Sequence, residues 1–179
     1  MSKWLLRGLA FAVLMVIVRL LQAVLINAFD RWALTVSITL VVLFAIAAFL
    51  WGLTDGRGDA HANPDPDRRG DLAMTWLLAG LFAGVVAGFV AWVINKITGF
   101  LYAMGFVPEV TTFAAFTALV VFVSAIAGVA LGRFLVDRKA PPVQRHGGDS
   151  DRADTDVFAA VRSEEETEPA ATGAGEARS

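Results

Sequence analysis

Four apolar runs, each long enough to cross a lipid bilayer, leave this chain little choice of fold class. A bilayer core about 30 Å thick takes roughly 20 apolar residues in helical form. Runs near residues 5–28, 32–53, 72–97 and 113–136 reach that length, and Arg19 is the one charge deep inside any of them. Backbone buried in lipid must satisfy its own hydrogen bonds, so runs of this kind are helices. The pattern predicts an all-α membrane protein: a four-helix transmembrane bundle over residues 1–139, then a disordered acidic tail over residues 140–179. The first run is too long for a secretory signal, has Arg19 within it and lacks a small-residue cleavage site, so it reads as a span.

Charge orients the bundle. Lys3, Arg7, Arg57, Arg68, Arg69, Arg133, Arg138 and Lys139 flank the spans on one side, against Arg31 and Lys96 on the other. Basic flanks stay in the cytoplasm, which predicts a multi-pass membrane protein with both termini inside. Trp4, Trp51 and Trp76 fall at the predicted cytoplasmic boundary, and Trp32 and Trp92 at the outer one, where amphipathic rings favour the headgroup layer.

Composition narrows the chemistry. The chain is 56% hydrophobic, above the 45–50% usual for soluble domains, and it has no cysteine. Disulfides, thiol catalysis and cysteine metal sites are therefore excluded. His61 and His146 both lie in polar segments, and no nucleophile–base set or carboxylate pair converges near the membrane, so no enzyme activity and no cofactor or metal is expected. The longest polar segment has nine acids against four arginines after Ala140, which speaks against nucleic acid as a partner. That composition cannot offset the entropy of ordering. Within it, Val157, Phe158 and Val161 precede Glu164–Glu166; residues 156–166 read either as a docking segment for a cytoplasmic protein or as a solvating tail with a stray apolar patch.

The two halves look alike. Trp4-Leu5-Leu6-Arg7-Gly8-Leu9 matches Trp76-Leu77-Leu78-Ala79-Gly80-Leu81, and Leu40-Val41-Val42 matches Leu119-Val120-Val121. This predicts two tandem hairpin repeats related by a two-fold axis along the membrane normal, with chance similarity among Leu/Ala/Val-rich helices as the competing explanation. Helices associate in lipid through small residues. Gly80, Gly84 and Gly88 form one stripe, and Ser124, Gly128 and Gly132 another. The two are expected to meet within the chain; homodimerisation is the alternative use of the glycine face.

Three segments connect the spans. Phe29–Arg31 is a tight turn. Thr54–Asp71 reads as an irregular, solvated loop, interrupted by Pro64 and Pro66, whose Arg68 and Arg69 contact lipid phosphates. Thr98–Thr112 is too apolar for a solvated loop and is expected to lie in the interface or dip into the bilayer.

An arginine near a helix centre costs about 2.5–3.5 kcal/mol to insert, so Arg19 should face protein or water. Gly8, Ala12, Gln22, Ala23 and Asp30 share its helical face. Arg19, Gln22 and Asn95 are the residues expected to mark a polar path, and Asp30 and Glu109 are the candidate coupling or pairing acids. Asp30 lies too far along the axis to pair with Arg19 within one helix, which leaves Glu109, carbonyls or water. A structural arginine that snorkels outward is the plainer alternative.

The motifs Trp4–Gly8, Asp55-Gly56-Arg57, Asn63-Pro64-Asp65-Pro66-Asp67-Arg68-Arg69 and Asp71–Leu77 resemble small actinobacterial four-helix membrane proteins catalogued with the drug/metabolite transporter superfamily. The likeness covers about residues 1–140 and implies a four-span, transporter-like protein of a bacterial inner membrane, working as an oligomer. The function expected is movement of a small polar or anionic solute, with a bilayer and a second copy of the chain as partners. A non-transporting scaffold that recruits partners through its tail is the alternative. The spans lack the membrane carboxylate on which small multidrug exporters couple transport.

Overall fold

The structure is a computed structural model that describes residues 3–101 and 105–140. Helix α1 spans Lys3–Ala28, a 3₁₀ turn Asp30–Trp32, α2 Ala33–Ala62, a second 3₁₀ turn Pro66–Arg68, and α3 Leu72–Thr98. The short α4, Phe106–Pro108, runs through a π-helical turn, Glu109–Phe113, into α5, Ala114–Asp137. All secondary structure among the described residues is helical, and four helical segments are long and apolar enough to cross a membrane. The tail segment 156–166 lies outside the described residues.

The start of α1, the end of α2, the start of α3 and the end of α5 gather at one end of the bundle, where Arg7 meets Asp55 and Arg133 meets Asp59 and Gly70. We call this the basic end. Local chemistry sets the helix limits. Asp71 caps α3, its carboxylate accepting from the Met74 N–H at 3.0 Å, which is worth about 1 kcal/mol. Gly99, at φ 64°, closes α3 in the left-handed region while its N–H donates to the Asn95 carbonyl, a role that suits a residue without Cβ.

Two segments depart from the sequence expectation. Helix α2 continues past Leu53 to Ala62, through residues that read as loop. Its extension is held because Gly56 lies against the Val129 backbone and because Asp55 and Asp59, one turn apart, each find an arginine. It stops at Asn63, which leaves the helical region (φ −130°, ψ 86°); the Pro64 that follows disfavours helical geometry there. Likewise the second half of the apolar connection Thr98–Thr112 is helical and continuous with α5.

Around the bundle the helices follow the order α1, α3, α5, α2, with the α2–α5 interface the most extensive and the α1–α2 interface sparse. A half-turn about the bundle axis therefore exchanges α1 with α5, not with α3. The expected two-fold axis relating the hairpins along the membrane normal does not describe this packing.

The glycine stripes both sit at interfaces but do not meet each other. A Cβ on Gly80, Gly84 or Gly88 would fall within 2.9 Å of the carbonyl oxygens of Ala118, Ala114 or Glu109. Gly128 and Gly132 instead face α2: their Cβ positions lie 2.1 and 2.4 Å from the Phe49 and Leu53 oxygens. Gly52 and Gly56 answer from α2, 2.2 and 2.3 Å from the Ala125 and Val129 oxygens. Ser124 is half-buried. The first half of α5 thus serves α3 and its second half serves α2, because α2 reaches far enough toward the basic end to take those glycines. Such backbone contact is the means by which helices associate in an apolar solvent.

Trp76 is fully buried and is not an interface anchor. It packs edge-on to Phe11 and Trp51 (centroids 5.7 and 6.4 Å) in a core that also holds Phe44 and Val121.

Candidate functional site

Arg19 lies in the apolar body of α1, and its charge is met from across the bundle. Its guanidinium forms a two-pronged ion pair with the Glu109 carboxylate: Nη1 donates to Oε2, and Nη2 donates to Oε1 at 3.1 Å. Both side chains are largely buried, and Glu109 is only 4% exposed. Parallel donors on a planar fork make this the strong form of a carboxylate contact. The Phe113 ring lies 4.1 Å from the guanidinium carbon, close enough for a cation–π contribution.

Two backbone devices bring Glu109 inward. It opens the π-helical turn Glu109–Phe113, the kind of local bulge that re-aims side chains at functional sites. Gly88 lets that turn approach α3, since a Cβ there would fall 2.4 Å from the Glu109 oxygen.

A cavity of about 330 Å³ opens beside the pair, lined by Arg19, Gln22, Ala23, Ile26, Leu101 and Phe113. A second, of about 210 Å³, shares the Leu101 wall and adds Asn27, Gly99 and Phe100. Most of the larger lining is apolar, with Arg19 and Gln22 as its polar groups. Gln22 Nε2 donates to Ser37 Oγ at 2.9 Å, which ties α1 to α2 at this level. A single chain supplies this cavity, although so narrow a bundle suggests that a dimer would be needed.

The structure thus brings Arg19, Gln22 and Glu109 together. Asn95 is half-buried near the end of α3 and lines neither cavity. Asp30 is exposed in the first 3₁₀ turn. Leu101, Phe113 and Ser37 escaped the sequence reading. Phe113 carried a weak signal: it follows Glu109 by four residues, so a helical turn there puts both on one face.

At the basic end, the loop expected to be solvated is pinned. Asp59 accepts from Arg133 Nη2 at 2.6 Å and from the Gly70 N–H at 3.1 Å. Arg7 Nε donates to Asp55 at 2.8 Å, and its guanidinium lies 5.6 Å from the centroid of the Trp76 ring. Arg69 is not free for a lipid phosphate: it forks onto Asp137, with Nη1 to Oδ2 at 2.8 Å, and donates to the Asn63 carbonyl. Arg68 remains 83% exposed, with Asp65 3.7 Å away. Among the described residues no cluster of three metal-ligating side chains occurs.

No protein-family model matches this chain, and no curated protein matches it either. Fold and site together define a class: an all-helical protein with four helices suited to a membrane, holding a buried arginine–glutamate pair beside a small cavity.

Proposed function

We propose that the chain is a small transporter-like protein of a bacterial inner membrane that moves a small polar or anionic solute past Arg19. The observation that carries this reading is the Arg19–Glu109 pair, seated in the apolar body of the bundle and adjoining a 330 Å³ cavity. Charge within a membrane span is costly and marks solute or ion pathways. A cavity of this size, mostly apolar with a few convergent polar groups, has the character of a small-molecule site.

The excess of Lys and Arg at the basic end supports an orientation with both termini in the cytoplasm. The acidic composition after Ala140 supports a disordered cytoplasmic tail. The sequence resemblance of residues 1–140 to four-helix transporter-like proteins favours transport over scaffolding. The missing membrane carboxylate noted in the sequence is supplied in this reading by Glu109.

The test is solute flux into proteoliposomes. Saturable uptake of an anionic solute should fall at least about tenfold on Arg19→Ala, and also on Arg19→Lys, which keeps the charge but loses the two-pronged fork. Absence of saturable flux for every solute tried with the wild-type protein would overturn the reading.

A further inference from the structure

Arg19 and Gln22 are the polar side chains of the larger cavity, and they offer a ligand different things. The guanidinium is committed to the Glu109 carboxylate, which holds both prongs of its fork. An anion entering the cavity would find that position taken. A cation would meet the guanidinium in the wall and no carboxylate beside it. The other walls, Ala23, Ile26, Leu101 and Phe113, are apolar. An ion of either sign would lose its hydration there without gaining a counter-charge of its own, which is costly.

Gln22 is different, because one end of its carboxamide is fixed from outside the cavity. Ser37 Oγ donates its single proton to the Ala33 carbonyl at 2.8 Å, one turn back along α2. A hydroxyl has one proton to give, so toward Gln22 it can only accept. The contact at 2.9 Å is therefore made by the amide nitrogen, and the flipped orientation is ruled out by the hydrogen-bond network. With Nε2 turned to α2, the Gln22 carbonyl oxygen is the end left for the cavity that this residue lines.

We propose that the cavity takes a small uncharged solute bearing an N–H or O–H donor on a short hydrocarbon frame, and that Gln22, held by Ser37, selects it. The inference rests on the transport reading for the purpose of the site, and narrows its polar or anionic solute to the uncharged class. A ligand with a donor satisfies the Gln22 oxygen. A ligand of the same shape without one shuts water out and leaves that oxygen unpaired, which is the strong form of discrimination in a polar site. A volume of about 330 Å³ lies at the small end of ligand sites, so the hydrocarbon part is limited to a few carbons.

The experiment is equilibrium binding of labelled butyramide to the purified full-length protein in detergent. Its competitors share the carbon chain: butyronitrile, uncharged but without a donor, butyrate as the anion and butylammonium as the cation. Wild-type protein should bind butyramide, and each competitor should be at least about tenfold weaker, the worth of one hydrogen bond in such a setting. Gln22→Met has similar length and no carbonyl oxygen. It should bind butyramide and butyronitrile equally, and its retained nitrile binding shows that the cavity is intact. Ser37→Ala frees the carboxamide to turn, so the preference for amide over nitrile should shrink while nitrile affinity stays. The wild-type competition series needs no variant, so it decides the matter even if Gln22→Met fails to fold. Failure of the wild-type protein to bind butyramide, equal competition by butyronitrile, tighter binding of either ion, or an unchanged preference in Gln22→Met would overturn the assignment. Arg19-dependent flux of an anion without butyramide binding would sink this inference and leave the transport reading intact. Butyramide binding in the expected order, with no saturable flux of any solute, would do the reverse.

Discussion

Two regions of the bundle use arginine–carboxylate pairs in different ways. At the basic end three arginine–aspartate pairs, Arg7–Asp55, Arg133–Asp59 and Arg69–Asp137, link α1 to α2, α2 to α5 and the α2–α3 loop to α5. They share partners with the backbone at Asn63 and Gly70. Deeper in the bundle a single pair, Arg19–Glu109, stands beside open volume. Redundancy distinguishes them. A clasp made of several pairs survives the loss of one, whereas the Arg19–Glu109 contact concentrates its charge in one two-pronged pair.

That contrast can be broken by substitution. Glu109→Ala removes the carboxylate onto which Arg19 forks and should lower stability by about 3–5 kcal/mol, the range for breaking a buried pair from one side, read from reversible unfolding in mixed micelles. A loss no greater than that of a basic-end variant would erase the distinction between the two regions. Gly128→Val tests what separates the regions, the tight α2–α5 seam. Its new Cβ would lie 2.1 Å from the Phe49 oxygen, and overpacking of that kind costs about 1–3 kcal/mol. Disulfide crosslinking rates between cysteines placed on α2 and α5 should drop as the helices part. Asp59→Asn removes a charged acceptor that serves Arg133 and the Gly70 N–H, for a loss of about 1.5–3 kcal/mol at most; faster proteolysis of the Asn63–Asp71 loop is the expected sign. Smallest should be Arg69→Ala. Its partner Asp137 is 44% exposed, so solvent screening holds the effect below that of Asp59→Asn. A larger effect would mean that the clasp acts as one cooperative unit.

How much of this was legible in the sequence depends on the kind of signal. Long apolar runs announce themselves, and the four helices follow. Arg19 stood out as the lone charge in a span, and Glu109 was among its candidate partners because so apolar a connection holds few other charges. The end of α2 was hidden, since Asp55, Gly56 and Asp59 have loop-like composition. Their helical meaning depends on Arg7, Val129 and Arg133, which are remote in sequence. Small-residue stripes show that a helix packs closely but carry no label for the partner, so Gly128 and Gly132 were paired with α3 when they serve α2. Asn95 was placed by helical face alone, and a face fixes direction without fixing which neighbour fills it. Trp76 fitted a boundary position by chain distance, yet an indole among Phe11, Trp51 and Arg7 is held by its ring contacts.

The π-helical turn at Glu109–Phe113 means that the last span carries one more residue than an ordinary coil of its length would hold. Without that surplus residue the carboxylate would stand about 100° away around the helix axis. The glycine-lined seam with α2 would keep its registration throughout. The aim of Glu109 at Arg19 is thus set by a single residue of surplus chain, while the frame of four helices is set elsewhere.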